Sequence, residues 1–345
     1  MSSKEVIDRG EDMEESWEWL DRGLDIHHHS IIPLGNAQSG YINRGISFST
    51  LKHGDIFVKF NEKNHARDMF KGERTSLETL HRTGTVKVPL PIQVVCHDSG
   101  GAALVMRHLR MRPLSVEGET KLGQQLAQMH LNNPRKLQRR PLSVDLLAAE
   151  ADSGQDHFGF PVPTSCGYFL QDNSFVKEWQ AFITRKMDQA ITTFVKRTSN
   201  VEFAKLWLEA EQNIEGLFAS LKGPIYPSLL HGDLWRLNAA ELDQEGSAVP
   251  VIFDPSSFYG HHEFDLAAST IIGSPFGAAF HEAYHSLIPK ERGFLQRQSL
   301  YKLFYFFNQH NHLDGGYRDS SSPPPLLSFE VGLNLLRELS ASDAA

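Results

Sequence analysis

Cysteine is scarce in this chain: Cys96 and Cys166, far apart, are the two it has. A secreted fold stapled by disulfides would need more of them, so the composition fits a reducing compartment. Long apolar runs are missing as well. The longest uncharged stretch, 266–280, is interrupted by Gly273, Pro275 and Gly277, and it falls short of the roughly 20 residues that a bilayer span requires. Nor is there a basic excess. Lys and Arg number 34 against 42 Asp and Glu, for a formal charge of -8 and a pI near 6.1, which leaves no bulk positive field for nucleic acid or an anionic membrane. The short basic runs 107–112 and 135–140 read as solvated faces. The amino terminus lacks the positive flank of a signal peptide and carries Glu5, Asp8, Glu11, Asp12, Glu14, Glu15 and Glu18 instead. The expectation is a soluble protein of the cytoplasm.

What is present concentrates in 229–268, LLHGDLWRLNAAELDQEGSAVPVIFDPSSFYGHHEFDLAA. Leu229 and Leu230 lead into His231-Gly232-Asp233, and Asn238 follows five residues after the Asp, a spacing suited to a loop folded back on itself. Glu241 to Gly246 reads as a hairpin turn, and Val249 to Phe253 as a short strand ending in Asp254-Pro255. Phosphoryl transfer needs an acceptor hydroxyl held in line with the γ-phosphate and Mg2+ to spread the developing charge. Asp233 suits the base that takes the hydroxyl proton. Asn238 and Asp254 offer the hard oxygens Mg2+ prefers, whereas a zinc site would call for nitrogen or sulfur. A plain turn explains HGD alone; the conjunction with Asn238 and a strand-end Asp254 has few structural excuses.

These segments, LLHGDLW and VIFDPSSFYGHHEFDLA, resemble the fructosamine-3-kinase (ketosamine-3-kinase) family, distant relatives of aminoglycoside and choline kinases. HGDxxxxN with the later Asp is shared by that whole superfamily, while the LW after HGD and the DPxSFYGHxExDLA run are narrower. The resemblance extends from about Gly35 to Tyr317. It implies an α+β, two-lobed protein-kinase-like fold, with ATP and Mg2+ as cofactors. It also implies phosphorylation of O3 of fructosamine or ribulosamine adducts on proteins or small amines, which leads to deglycation. Another small-molecule kinase of the aminoglycoside or choline type is the first alternative, and a non-catalytic pseudokinase the second. The organisation expected is an acidic extension over 1–25, an N-lobe over 26–109 and a C-lobe over 110–345; the oligomeric state is open.

Taken in order, 1–25 could form a short amphipathic helix or remain loose. His27-His28-His29 point in different directions on any strand or loop and read as surface. Gly35, Gly40 and Gly45 suggest a hairpin over phosphates, without a standard nucleotide fingerprint; the redox-active cysteine that some relatives carry in this loop is absent. In 56–60, IFVKF, alternation sends Lys59 to one face and Val58 and Phe60 to the other. The helix expected over 67–80 carries Glu73. A lysine strand followed by a glutamate helix is the kinase N-lobe arrangement, in which Lys59 holds the α and β phosphates and Glu73 fixes Lys59. Val86 to Val88 and Ile92 to Val95 read as strands. The run 102–106 leads to a hinge, where the resemblance points at Arg107, His108 and Leu109 for adenine, through backbone groups.

Helices are expected over 121–132, from Trp179, from Trp207 to Leu221, over 276–285, over 300–312 and over 329–339. The stretch between Pro134 and Gln180 reads as a long irregular loop, which the resemblance implies helps shape the acceptor side, and Ser320 to Pro325 as a break. His130 reads as a core or boundary histidine. The cluster 308–312, NQHNH, reads either as a pocket wall, with His312 a candidate substrate contact, or as a capped helix end. Trp235 either stacks on the sugar or packs in the core. Asp265 is expected to brace the catalytic loop. Where relatives have Ser-Gly before the metal Asn, this chain has Arg236-Leu237, and Arg236 is a candidate to supply charge to a phosphate.

Overall fold

A computed structural model of the chain describes residues 18–25, 31–34, 38–39, 43–97, 100–139, 154–271, 275–313 and 328–341. His27 to His29, the turn of the glycine-bearing loop and Ser320 to Pro325 lie outside the described residues.

The amino-terminal lobe is an antiparallel sheet. Strands β1 (Ile31–Pro33), β3 (Arg44–Thr50), β4 (Gly54–Asn61), β6 (Ala102–Arg107) and β5 (Pro91–Cys96) run in that spatial order, and β2 (Gln38–Ser39) pairs with β3. Strand alternation divides its side chains between two cores. Ile46, Phe48, Ile56, Val58, Ala103 and Val105 face helix α1 (Glu18–Leu24), whose Leu20 and Leu24 are buried against them, with Phe60 packed alongside. The other face, with Ala102, Leu104 and Met106, packs on Met69, Phe70, Leu77 and Leu80 of helix α2 (Ala66–Arg82). Lys59 therefore leaves the sheet on the α2 side, away from Val58, as alternation requires. Val86 to Val88 does not form a strand: Lys87 makes a single parallel bridge to Val251, while Ile92 to Val95 lies within β5.

Beyond the hinge, β7 (Met111–Arg112) joins β11 (Ala239–Leu242) and β12 (Pro250–Ile252) in a small antiparallel sheet. The carboxy-terminal lobe is otherwise mainly helical. Helix α3 (Val116–Arg139) outruns the expected 121–132 at both ends. The 134–180 segment is less irregular than its Gly and Pro content suggests, because β8 (Thr164–Cys166) and β9 (Phe169–Gln171) form a hairpin. Helix α4 (Trp179–Thr198) buries Phe182, Ile183, Lys186 and Phe194.

The amphipathic stretch from Trp207 to Leu221 is two helices, α5 (Val201–Glu211) and α6 (Ile214–Ala219). They part where the Asn213 amide turns to donate to the carbonyls of Leu339 and Ser340, 3.1 and 3.0 Å away. Strands β10 (Ser228–Leu229) and β13 (Tyr259–Gly260) pair with each other. Helices α7 (Glu263–Ile271), α8 (Ala278–His285), α9 (Phe294–Leu313) and α10 (Phe329–Ser340) complete the lobe. Its core is aromatic: Phe203 stacks on Phe306 with ring centroids 5.4 Å apart, and Phe194 meets Phe307 edge to face at 5.1 Å. Among the described residues no helix is long and apolar enough to cross a membrane.

Candidate active site

The loop 230–238 is shaped by backbone needs. Leu230 N–H donates to Phe258 O at 3.0 Å, carrying the β10–β13 pairing one residue further. At Gly232 the chain turns with φ +83°, and a Cβ there would collide with the carbonyl of Ser256, so only glycine is accommodated. The two buried N–H groups this turn leaves unpaired, those of His231 and Gly232, donate to the Asp265 carboxylate at 2.7 and 2.8 Å. Asp265 thus braces the loop, as expected, and is itself held by His130 Nε2 at 3.1 Å. His130 bonds the Tyr284 hydroxyl through Nδ1 at 2.8 Å, which makes it a packed core histidine. The imidazole of His231 faces Phe253 O through Nε2 at 3.0 Å, and the Tyr305 hydroxyl donates to Gly232 O at 3.1 Å.

Asp233 emerges from this frame beside Asn238, which ends a one-turn 3-10 helix (Arg236–Asn238). The Asn238 amide N–H donates to Asp233 O at 2.9 Å and reaches its Oδ2 at 3.3 Å, leaving the amide oxygen as a hard ligand atom. Phe253 N–H donates to Asn238 O at 3.1 Å, which brings the end of β12, and hence Asp254, alongside. Asp254 has φ +58°, a left-handed conformation uncommon for a non-glycine residue and of the kind concentrated at functional sites.

Lys59 closes the site from the other lobe. Its ammonium lies 2.9 Å from each Glu73 carboxylate oxygen and 2.9 Å from Asp254 Oδ1. Burial pulls the Lys59 pKa down, but Asp254 and Glu73 more than offset this and hold it above the usual lysine range. Burial likewise drives Glu73 up, against the charge of Lys59. Asp233 is raised to about 7, mainly by burial and then by the negative charge of Asp254. A carboxyl group in that range can both take up and release a proton near neutral pH. Lys59, Glu73, Asp233, Asn238 and Asp254, drawn from four separate stretches of chain, therefore come together in space.

The remaining sequence candidates divide. At the hinge, Arg107 N–H donates to Leu90 O at 2.8 Å and His108 N–H to Asp55 O at 3.1 Å, so both are spent on the lobe itself. The Arg107 guanidinium is exposed and bonds the carbonyl of His53. Trp235 is half-buried and stacks on no other ring among the described residues. His312 is not a free substrate contact. Its Nε2 accepts from Tyr168 N–H at 2.7 Å and its Nδ1 bonds Asn308 O, so the ring is used on the β8–β9 turn.

Arg236 is committed to an ion pair with Glu119 of α3, whose other oxygen takes Gly277 N–H at 2.9 Å, so its charge is not directed at a phosphate. Restoring a small residue with Arg236→Ser would strand the buried Glu119. We expect the unfolding free energy to fall by about 2 kcal/mol, a value reduced for the partial exposure of the pair. Arg236→Ser combined with Glu119→Gln should recover most of the loss in the same denaturant titration.

His261, His262 and Glu263 place potential metal-ligand atoms within 4.8 Å of one another. Both Glu263 oxygens already bond Arg297 at 2.8 Å, and the Nδ1 atoms of His261 and His262 bond the hydroxyls of Tyr301 and Tyr284 at 2.8 and 3.1 Å, so the cluster is packing. Sequence reasoning missed Tyr305, whose hydroxyl donates to Gly232 O, as a neighbour of the 230–238 loop. It lies on α9, remote from the loop in the chain, and no local pattern marks it.

A sheet-bearing lobe with a lysine–glutamate pair, set against a helical lobe in which two aspartates and an asparagine come together, fits a phosphotransferase of the protein-kinase-like fold with a hydroxyl acceptor. The chain belongs to the fructosamine kinase family, whose model matches residues 25–323. It is 44% identical over 316 residues to mouse (Mus musculus) ketosamine-3-kinase, covering 90% of this chain and 96% of that one. Protein-ribulosamine 3-kinase of Arabidopsis thaliana, a chloroplastic protein, is 30% identical over 292 residues, 84% of this chain and 81% of its own length. Among solved structures, a Haemophilus somnus protein assigned to the fructosamine-3-kinases superposes with a TM-score of 0.70 at 20% identity, covering 93% of this chain and 95% of that chain. An aminoglycoside phosphotransferase superposes with a TM-score of 0.53 at 15% identity, over 97% and 99%. At those identities the structural likeness speaks for the fold alone.

Proposed function

We propose that this protein transfers the γ-phosphoryl group of ATP to the O3 hydroxyl of a ketosamine carried by a protein lysine or a small amine, the step that makes the sugar adduct unstable and frees the amine. The observation that carries this reading is the 2.9 Å contact between Lys59 and Asp254, which joins the phosphate-holding half of the cleft to the half containing Asp233 and Asn238. The names of the mouse and plant relatives support the acceptor class.

The donor set suits magnesium. Asp254 is close enough for its charge to act on Asp233, and the Asn238 amide stands beside Asp233. Asn238 and Asp254 would hold the ion, which when bound supplies charge neutralisation on the transferring phosphoryl group. Lys59, fixed by Glu73, binds the α and β phosphates. With the Arg107 and His108 N–H groups spent on the lobe, Leu109 is the hinge residue whose N–H serves adenine. Asp233 takes the proton from the attacking hydroxyl. Trp235, adjacent to the base and partly open, offers an apolar face on which the sugar stacks. A cytoplasmic location belongs to the same reading and is supported by Cys96 and Cys166 both being free thiols.

The deciding measurement is ATP consumption with fructosamine, ribulosamine and psicosamine conjugates, together with an aminoglycoside and choline, followed by locating the phosphate on the product. Phosphate on O3 of a ketosamine is the expected result. Turnover only of aminoglycoside or choline, or nucleotide binding with no turnover at all, would replace the reading with one of its two alternatives.

A further inference from the structure

Glu73 can fix Lys59 only if its own helix is fixed. Helix α2 belongs to the sheet-bearing lobe and Asp254 to the other, so contacts that cross between the lobes set how the two carboxylates share one ammonium. Two residues flanking Glu73 make such contacts. At Gly72 the helix meets the chain entering β8 so closely that a Cβ would lie 2.5 Å from Pro163 O and 3.1 Å from the Cα of Thr164. Both are backbone atoms that cannot swing aside, so the approach requires glycine. One turn further, on the same face of α2, the Ser76 hydroxyl donates to Gly72 O at 2.8 Å and accepts the Ser257 N–H at 3.2 Å.

Ser257 follows Asp254 by three residues, and its other backbone group is taken as well. Thr164 Oγ1 donates to Ser257 O at 3.3 Å. Helix α2, β8 and the 254–257 segment thus close a triangle: Gly72 against Pro163, Thr164 on Ser257, and Ser257 back to Ser76. Ser76, Thr164 and Ser257 are all buried, so each of these bonds stands where bulk water cannot replace it. The neighbouring Ser256 N–H donates to His231 O at 2.8 Å, which ties the same segment to the 230–238 loop.

We infer that Gly72 and Ser76 are positioning residues for Glu73. They seat α2 on the segment that carries Asp254, so that Glu73 and Asp254 reach the Lys59 ammonium together, each at 2.9 Å. Glu73 lies between them on one helical turn, and fixing that turn at both ends fixes its rotation and height. The inference rests on the proposed role of Lys59 as the phosphate-binding residue.

The test uses the full chain and measures the Kd of ATP with Mg2+ by calorimetry. Ser76→Ala leaves the buried Ser257 N–H without its acceptor and should weaken ATP binding on the order of ten-fold, with KM for the ketosamine little changed. Gly72→Ala disturbs the other contact and should give the same split. Gly216→Ala in α6, where a Cβ meets nothing within 4 Å, is the control and should bind ATP as the wild type does. A role through Glu73 differs from a merely structural one in a double-mutant cycle: in a Glu73→Gln background, Ser76→Ala should change ATP affinity by less than about two-fold. Wild-type ATP affinity in Ser76→Ala or Gly72→Ala, or effects of Ser76→Ala and Glu73→Gln that simply add, overturns the inference. The underlying reading fails separately: Lys59→Ala with undiminished ATP affinity sinks it, whereas weak binding in Lys59→Ala beside normal binding in the two α2 variants sinks the positioning role alone. Should neither α2 variant fold, hydrogen exchange of the wild-type chain decides. By linkage, ATP must strengthen a contact that strengthens ATP binding, so ATP should slow exchange of the Ser257 N–H, and an exchange rate that ATP leaves unchanged overturns the inference.

Discussion

Asp233→Asn is expected to slow ketosamine phosphorylation by about 10²- to 10⁴-fold, the usual worth of a positioned general base. The substitution keeps the shape of the side chain and an oxygen for the Asn238 amide, which bonds the Asp233 backbone carbonyl at 2.9 Å in any case. Nothing changes around Lys59, the phosphate-binding residue of the proposal, since Glu73 and Asp254 hold it. The affinity for ATP should therefore stay close to that of the wild type while kcat collapses. Single-turnover phosphorylation, alongside ATP binding by calorimetry, separates the two quantities. Wild-type turnover in the variant would remove Asp233 from the chemistry, and an equal loss of ATP affinity would make it a nucleotide ligand instead of the base.

A steep loss of stability on mild acidification is the second large effect. Burial holds His262 down to about 3 and His312 down to about 4, and His261 well below its ordinary value. Each ring is neutral in the folded protein and binds a proton near pH 6.5 once unfolded. A folded-state pKa lowered in this way gives stability that is fully present above the unfolded value and drains away as pH falls beneath it. Between pH 6.5 and 5 each such histidine costs about 1.5 kcal/mol, because the unfolded ring is half protonated at pH 6.5 and the slope approaches about 1.36 kcal/mol per pH unit only below it. His262 and His312 together then cost about 3 kcal/mol, a large share of the 5–15 kcal/mol that typically holds a domain folded. Tm measured across this window should fall steeply. His262→Gln, which can still bond Tyr284 but cannot be protonated, should flatten the slope. A flat Tm profile from pH 6.5 to 5 would mean that these rings are solvated or already charged in the native state.

Local chemistry announced itself in the sequence. The alternation of IFVKF was enough to place Lys59 on the face opposite Val58, because successive residues of a strand point to opposite sides whatever the tertiary fold. Gly232 between His231 and Asp233, with Asn238 five residues on, marked a tight loop, because the left-handed turn and the close approach of Ser256 admit only glycine there. Glu73 on its helix and Asp254 at a strand end followed from the same short-range periodicities.

Long-range partners were not legible, because hydrogen-bonding capacity is a property of a residue whereas its partner is a property of the fold. The NQHNH cluster read equally well as a pocket wall or a helix end; only the approach of the β8–β9 turn decided that His312 bonds Tyr168 and that Asn308 bonds Cys166. Arg236 looked available to a phosphate until α3 brought Glu119 against it, more than a hundred residues away in the chain. The break between α5 and α6 was hidden for the same reason, since Asn213 leaves the helical pattern to meet carbonyls at the end of α10. By itself the amino-acid sequence determined the chemistry the chain can perform and the faces on which its elements are apolar. Tertiary structure alone decided which polar groups are spent on one another and which remain for substrate, because a buried donor or acceptor must be satisfied by whatever the packing brings within about 3 Å.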